Sequence, residues 1–166
     1  MSSSERKMML FVCTGNTCRS PMAEGLAAHL CRSISEWQFS SAGVFASDGA
    51  RAAETAIQVM KEKGLDISQH RSRLLTPELV ESANVIISLT QGHQDLILDR
   101  FPDASRKIHT LHSFNPSLAH KDVMDPFGGN AETYRKTRDE IESALSDLIL
   151  AVVTSAPKSN PQQEKL

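Results

Sequence analysis

Two short runs, Met8-Met9-Leu10-Phe11-Val12 and Val85-Ile86-Ile87-Ser88-Leu89, are apolar almost without a break. A strand with one face in water alternates apolar and polar residues, whereas a strand covered on both faces of a parallel sheet does not. Both runs therefore read as buried strands, and the segments between them carry helical spacing. After the first run, Pro21 suits the opening turn of a helix on which Met22, Leu26 and Leu30 recur at i, i+4 and i+8. Trp37 to Val44 reads as a second strand, and Ala50 to Lys63 as a helix that Gly64 stops. Thr76-Pro77-Glu78 is a helix-start signal ahead of the second apolar run. Gln91 to Arg100 reads as a further helix, Lys107 to Leu111 as a short strand and Pro116 to Asn130 as a loop. Ala131 to Val153 closes the pattern as a helix with Tyr134, Ile141, Leu145 and Leu148 on one face.

Strands alternating with helices predict an α/β fold, an open parallel sheet of about four strands with helices on both faces. Sites in such sheets lie beyond the carboxyl ends of the strands. A chain of 166 residues with 40% hydrophobic content matches one domain, expected over residues 1–153, with a polar, disordered tail over 154–166. The formal charge of -2 leaves no global attraction for nucleic acid or an anionic membrane, so an anion must be bound locally. No run approaches the roughly 20 apolar residues of a membrane span. Cys13, Cys18 and Cys31 are an odd set confined to the first fifth of the chain. That is a poor disulfide framework and fits reduced thiols in a cytoplasm.

The stretch from Cys13 to Ser20, Cys-Thr-Gly-Asn-Thr-Cys-Arg-Ser, sets a cysteine and an arginine six positions apart around a turn that enters a helix. Backbone N–H groups of Thr14, Gly15, Asn16, Thr17 and Cys18 can turn inward there and, with the helix N-terminus, form an anion cradle without a metal. Arg19 adds a planar, permanently charged fork that grips two phosphate oxygens. The same field favours the thiolate of Cys13, a competent nucleophile for phosphorus. Ser20 follows directly, and its hydroxyl is placed to steady the sulfur as a leaving group. Asn16 suits a left-handed loop position from which its side chain pins the loop.

Phosphate leaves a phenolate or a guanidine poorly unless the leaving atom is protonated, so a carboxylic acid must stand over the loop. Asp125, in Asp125-Pro126-Phe127-Gly128-Gly129, is the candidate, with Asp122 as the local competitor. The six histidines are scattered and give no metal-ligand spacing, and this chemistry calls for neither metal nor cofactor.

Val12 to Glu24, Val-Cys-Thr-Gly-Asn-Thr-Cys-Arg-Ser-Pro-Met-Ala-Glu, and the Asp-Pro-Phe-Gly-Gly motif at Asp125 resemble the low-molecular-weight protein tyrosine phosphatase family over residues 8–150. The resemblance implies a flavodoxin-like three-layer fold with Cys13 as nucleophile and Arg19 as phosphate clamp. It further implies Asp125 as general acid and then base, and His70 as a support for Asn16. A reversible Cys13–Cys18 disulfide that protects the nucleophile is implied too. Within the family the chain looks closest to the bacterial protein arginine phosphatases. Thr17 stands where tyrosine-directed members usually carry isoleucine, and a hydroxyl at the rim suits a guanidinium leaving group better than a methyl. Phe127 and Phe45 are candidates to wall the pocket and stack on a guanidinium, plain core packing being the other reading of Phe45. The expected partners are phosphorylated proteins. The enzymatic rival is a phosphotyrosine phosphatase with the same machinery. The rival from another class is a phosphate-binding or redox-sensing module without turnover.

Overall fold

The computed structural model describes residues 6–154. Four strands, β1 (Lys7–Cys13), β2 (Trp37–Gly43), β3 (Val85–Ser88) and β4 (Ile108–Thr110), form one sheet in the order β2-β1-β3-β4. Every pairing is parallel, with Cys13 level with Gly43 and Val12 with Ser88. The unbroken apolar character of β1 has its cause in the layers. Met9 and Phe11 pack into a core with Met22 and Leu26 of α1 (Arg19–Leu30), Val59 and Met60 of α2 (Glu54–Lys61), and Ile141 and Leu145 of α5 (Ala131–Leu148). Leu10 and Val12 face the other way, onto Val80 of α3 (Pro77–Ser82) and Ile97 of α4 (Gln91–Arg100). The architecture is thus the expected three-layer α/β fold.

Helix ends follow their sequence signals. Thr76 and Thr90 accept the backbone N–H groups of Leu79 and His93, and Asn130 accepts that of Thr133, each satisfying one orphan donor of a first turn. The first helix starts at Arg19, which puts Pro21 in its opening turn as expected. Two boundaries and one stripe position differ from expectation. Leu30, assigned to the buried stripe of the first helix, is 37% exposed while Ala23 and Ala27 are fully buried. The second helix begins at Glu54 because Ala50 to Ala53 is taken up elsewhere: Arg51 bridges Arg71, and the Ala53 N–H donates to the Thr17 carbonyl at 2.9 Å. The last helix ends at Leu148 and closes in a π-helical turn, Ile149–Val153. The polar tail expected over 154–166 lies, apart from Thr154, outside the described residues.

From β1 the chain runs through α1 to β2 on one side, then crosses back past β1 through α2 and α3 to β3 on the other. The loop after β1 opens at that switch point, where ligands sit in sheets of this kind.

Candidate active site

The loop Thr14–Cys18 is shaped from outside itself. Asn16 has φ +58, the left-handed conformation that asparagine tolerates, and it is fully buried. Its side-chain amide donates to Ser20 Oγ at 2.8 Å and Ser41 Oγ at 3.0 Å, while its Oδ1 accepts from the Arg73 N–H at 3.0 Å. His70 Nε2 lies 2.8 Å from the Asn16 carbonyl oxygen, so the expected support reaches the backbone of Asn16 rather than its side chain. The end of β2 comes equally close. A Cβ built on Gly43 would stand 2.5 Å from the Thr14 carbonyl oxygen and 2.9 Å from Asn16 N, so only glycine fits there.

Cys13 Sγ is 2.9 Å from Ser20 Oγ. An amide nitrogen only donates, so toward Asn16 Nδ2 the serine oxygen is the acceptor. Its own proton is therefore left to point at the sulfur, a donor placed to stabilise negative charge there.

Arg19 is buried, and one guanidinium nitrogen donates to the Val123 carbonyl at 3.0 Å. The loop bearing that carbonyl is tied down by Val123 N–H donating to Leu89 O at 3.0 Å and by Asp122 Oδ1 accepting from Gln91 N–H at 2.8 Å. The competing carboxylate is thereby committed to the start of α4. Asp125, with its side chain 54% exposed, turns inward instead, with Oδ2 3.7 Å from Arg19 Nη2 and Oδ1 accepting from the Phe127 N–H at 3.1 Å.

These groups enclose a cavity of about 260 Å³ lined by Cys13, Thr14, Gly15, Thr17, Cys18, Arg19, Asp125 and Phe127. The structure brings all of these together. Phe45 is the departure. It is 61% exposed, so it is not core, and it is absent from the cavity lining. Its ring lies instead 4.8 Å from the Arg100 guanidinium carbon, a cation–π contact on the surface. Among the described residues, no group of three or more histidine, cysteine, aspartate or glutamate side chains is placed to hold a metal, and no helix is long and apolar enough to cross a membrane.

Cys13 and Cys18 are free thiols on the same cavity. Burial pushes the Cys18 thiol up, and its sulfur lies 3.4 Å from the Tyr134 hydroxyl. That hydroxyl is itself pushed upward, by burial first and by the contact with Cys18 second.

Sequence reading missed His93, which is buried at the first turn of α4 with Nε2 2.9 Å from Thr14 Oγ1. Burial, and then the charge of Arg19, lower its pKa from 6.5 to about 4. Over that window the unfolded chain binds the extra proton. Stability should therefore be fully present above pH 6.5 and lost as the pH falls toward 4, by about 2–3 kcal/mol. Urea unfolding across this range is expected to show a flatter acid limb for His93→Gln than for the wild type; identical limbs would remove His93 as the cause.

The fold and the cavity place the chain in a known class of enzymes. It belongs to the low molecular weight phosphotyrosine protein phosphatase family, whose model matches residues 8–159. A protein-arginine-phosphatase of Geobacillus stearothermophilus is 45% identical over 140 residues, covering 84% of this chain and 92% of its own. Another, from Bacillus subtilis, is 42% identical over 145 residues, with 84% and 93% covered. Among solved structures, a cysteine-to-serine mutant of the YwlE arginine phosphatase with a phosphorylated active-site serine superposes with TM-score 0.82 at 39% identity, over 89% of this chain and 97% of its own.

Proposed function

We propose that this chain removes phosphate from phosphoarginine side chains of proteins through a phosphocysteine intermediate on Cys13. The observation that carries the reading is the cavity itself. It sets a sulfur with a hydroxyl donor, a buried arginine and a carboxyl group around one space.

In the first step Cys13 sulfur attacks phosphorus, the P–N bond breaks, and the Asp125 carboxyl gives its proton to the departing guanidine nitrogen. Backbone N–H groups of the Thr14–Cys18 loop and Arg19 balance the charge that builds on the equatorial oxygens. In the second step the Asp125 carboxylate takes a proton from water, the water oxygen bonds to phosphorus, and the P–S bond breaks. The departing thiolate is met by the Ser20 hydroxyl. Each step moves one proton to or from Asp125, and the two together leave the site as it began, with no external reductant or metal.

The arginine preference rests on Thr17 and on the relatives named above. Thr17 is half-buried in the cavity lining, with its hydroxyl oxygen 3.8 Å from Cys18 Sγ. A guanidinium offers N–H donors that this oxygen can accept and that a methyl group cannot. Asp125 and the exposed Phe127 ring line the same cavity, where a planar cation can be hydrogen-bonded and stacked. The reaction is expected to take place in the cytoplasm, where the thiol stays reduced.

Phosphate release from phosphoarginine-bearing and phosphotyrosine-bearing protein, measured side by side, tests the reading. The wild type should favour phosphoarginine, and Thr17→Ile should lose at least about tenfold of that preference, the scale of one hydrogen bond to a charged group. A wild-type preference for phosphotyrosine would overturn the substrate assignment and leave the two-step chemistry in place.

A further inference from the structure

Thr14 follows the proposed nucleophile directly, is exposed, and lines the cavity. Its Oγ1 is 2.9 Å from Nε2 of His93, which is brought up from far along the chain by the start of α4. His93 is only 5% exposed, and its other ring nitrogen, Nδ1, is inaccessible to solvent and has no hydrogen-bond partner among the described residues.

A neutral imidazole carries a single N–H, on one nitrogen or the other. A proton on Nδ1 would bury an unmet donor. A proton on Nε2 leaves Nδ1 as an unfilled acceptor, the lesser penalty of the two. Burial and the charge of Arg19 keep the ring neutral throughout the physiological range, so the choice is between these two tautomers alone.

We propose that His93 is a positioning residue: its Nε2–H donates to Thr14 Oγ1 and so leaves the threonine's own proton free to bind a phosphoryl oxygen in the cavity. The proposal rests on the reading of this cavity as a phosphoryl site. With the opposite tautomer the threonine proton would be spent on the histidine, and only lone pairs would face an anion. The buried histidine thus sets the polarity of a hydroxyl that does touch the substrate, one residue from the nucleophile.

Two measurements test this. In uniformly 15N-labelled wild-type protein, two-bond 1H–15N correlation should show His93 as the neutral Nε2–H tautomer; a protonated Nδ1 would overturn the proposal outright. Binding of inorganic phosphate should weaken about tenfold in Thr14→Val and in His93→Leu, and the double variant should be no worse than either single one, because both remove one coupled interaction. His93→Gln retains a side-chain N–H and should stay within about threefold of the wild type. Additive losses, or phosphate binding indifferent to Thr14, would refute the role. Should His93→Leu fail to fold, the wild-type spectrum and Thr14→Val decide the matter. A protein inactive on every phosphoprotein, yet with this tautomer and this coupled loss, would refute the phosphatase reading and leave His93 as the support of an anion site.

Discussion

Phosphate release by Cys13→Ser is expected to fall by at least about 10⁴-fold, with the protein trapped one phosphate heavier when it is mixed with a phosphoarginine substrate. The serine oxygen would occupy the place of the sulfur but lacks what makes sulfur reactive there. The side-chain partner of Cys13 is a hydroxyl, Ser20, not a base that could take a serine proton. Whatever phosphoserine forms slowly is then a poor substrate for the second step, because an alkoxide leaves phosphorus far less readily than a thiolate. Intact-protein mass and phosphate release together read both halves of the expectation. Turnover within tenfold of the wild type would mean that water attacks phosphorus directly and that Cys13 is not the nucleophile.

Asp125→Asn should lower kcat on phosphoarginine protein by about 10²–10⁴-fold, the range over which a placed general acid contributes. The amide preserves the shape and can still meet the Phe127 N–H through its oxygen, so folding is expected to survive. What is lost is the transferable proton. The loss should therefore shrink on an activated aryl phosphate, whose leaving group departs without protonation. An equal loss on both substrates would instead mark Asp125 as a binding group, and near wild-type rates on phosphoarginine would remove it from the chemistry.

What could be read from the sequence was whatever lies close together along the chain. The loop from Cys13 to Ser20 carries its chemistry in eight consecutive residues, and β1 announces double-sided burial by having no alternation. Asp125 was legible because proline and two glycines fix a turn around it. The rest of the site is made by contacts with no linear signal. Nothing in Thr-Gln-Gly-His distinguishes His93 from a surface histidine, since its meaning comes from α4 meeting a loop that follows another strand. Gly43 ends a strand as many glycines do, and only the approach of Thr14 and Asn16 makes it irreplaceable. Phe45 erred in the other direction. Its backbone N–H is held by the Thr14 carbonyl at 2.9 Å, next to the site, yet its ring turns to Arg100. Proximity of backbone did not settle the direction of the side chain.

The Val123 carbonyl that receives Arg19 belongs to the segment that also carries Asp125. During synthesis Cys13 leaves the ribosome well ahead of that segment, which follows about a hundred residues later. A nascent chain therefore holds the Cys13 thiol before Arg19 is oriented and before Asp125 is present, and it acquires both together when one loop settles against the end of β3. On the proposed chemistry, onset of activity would be coupled to the docking of that loop, and a product truncated before it would be silent rather than partly active.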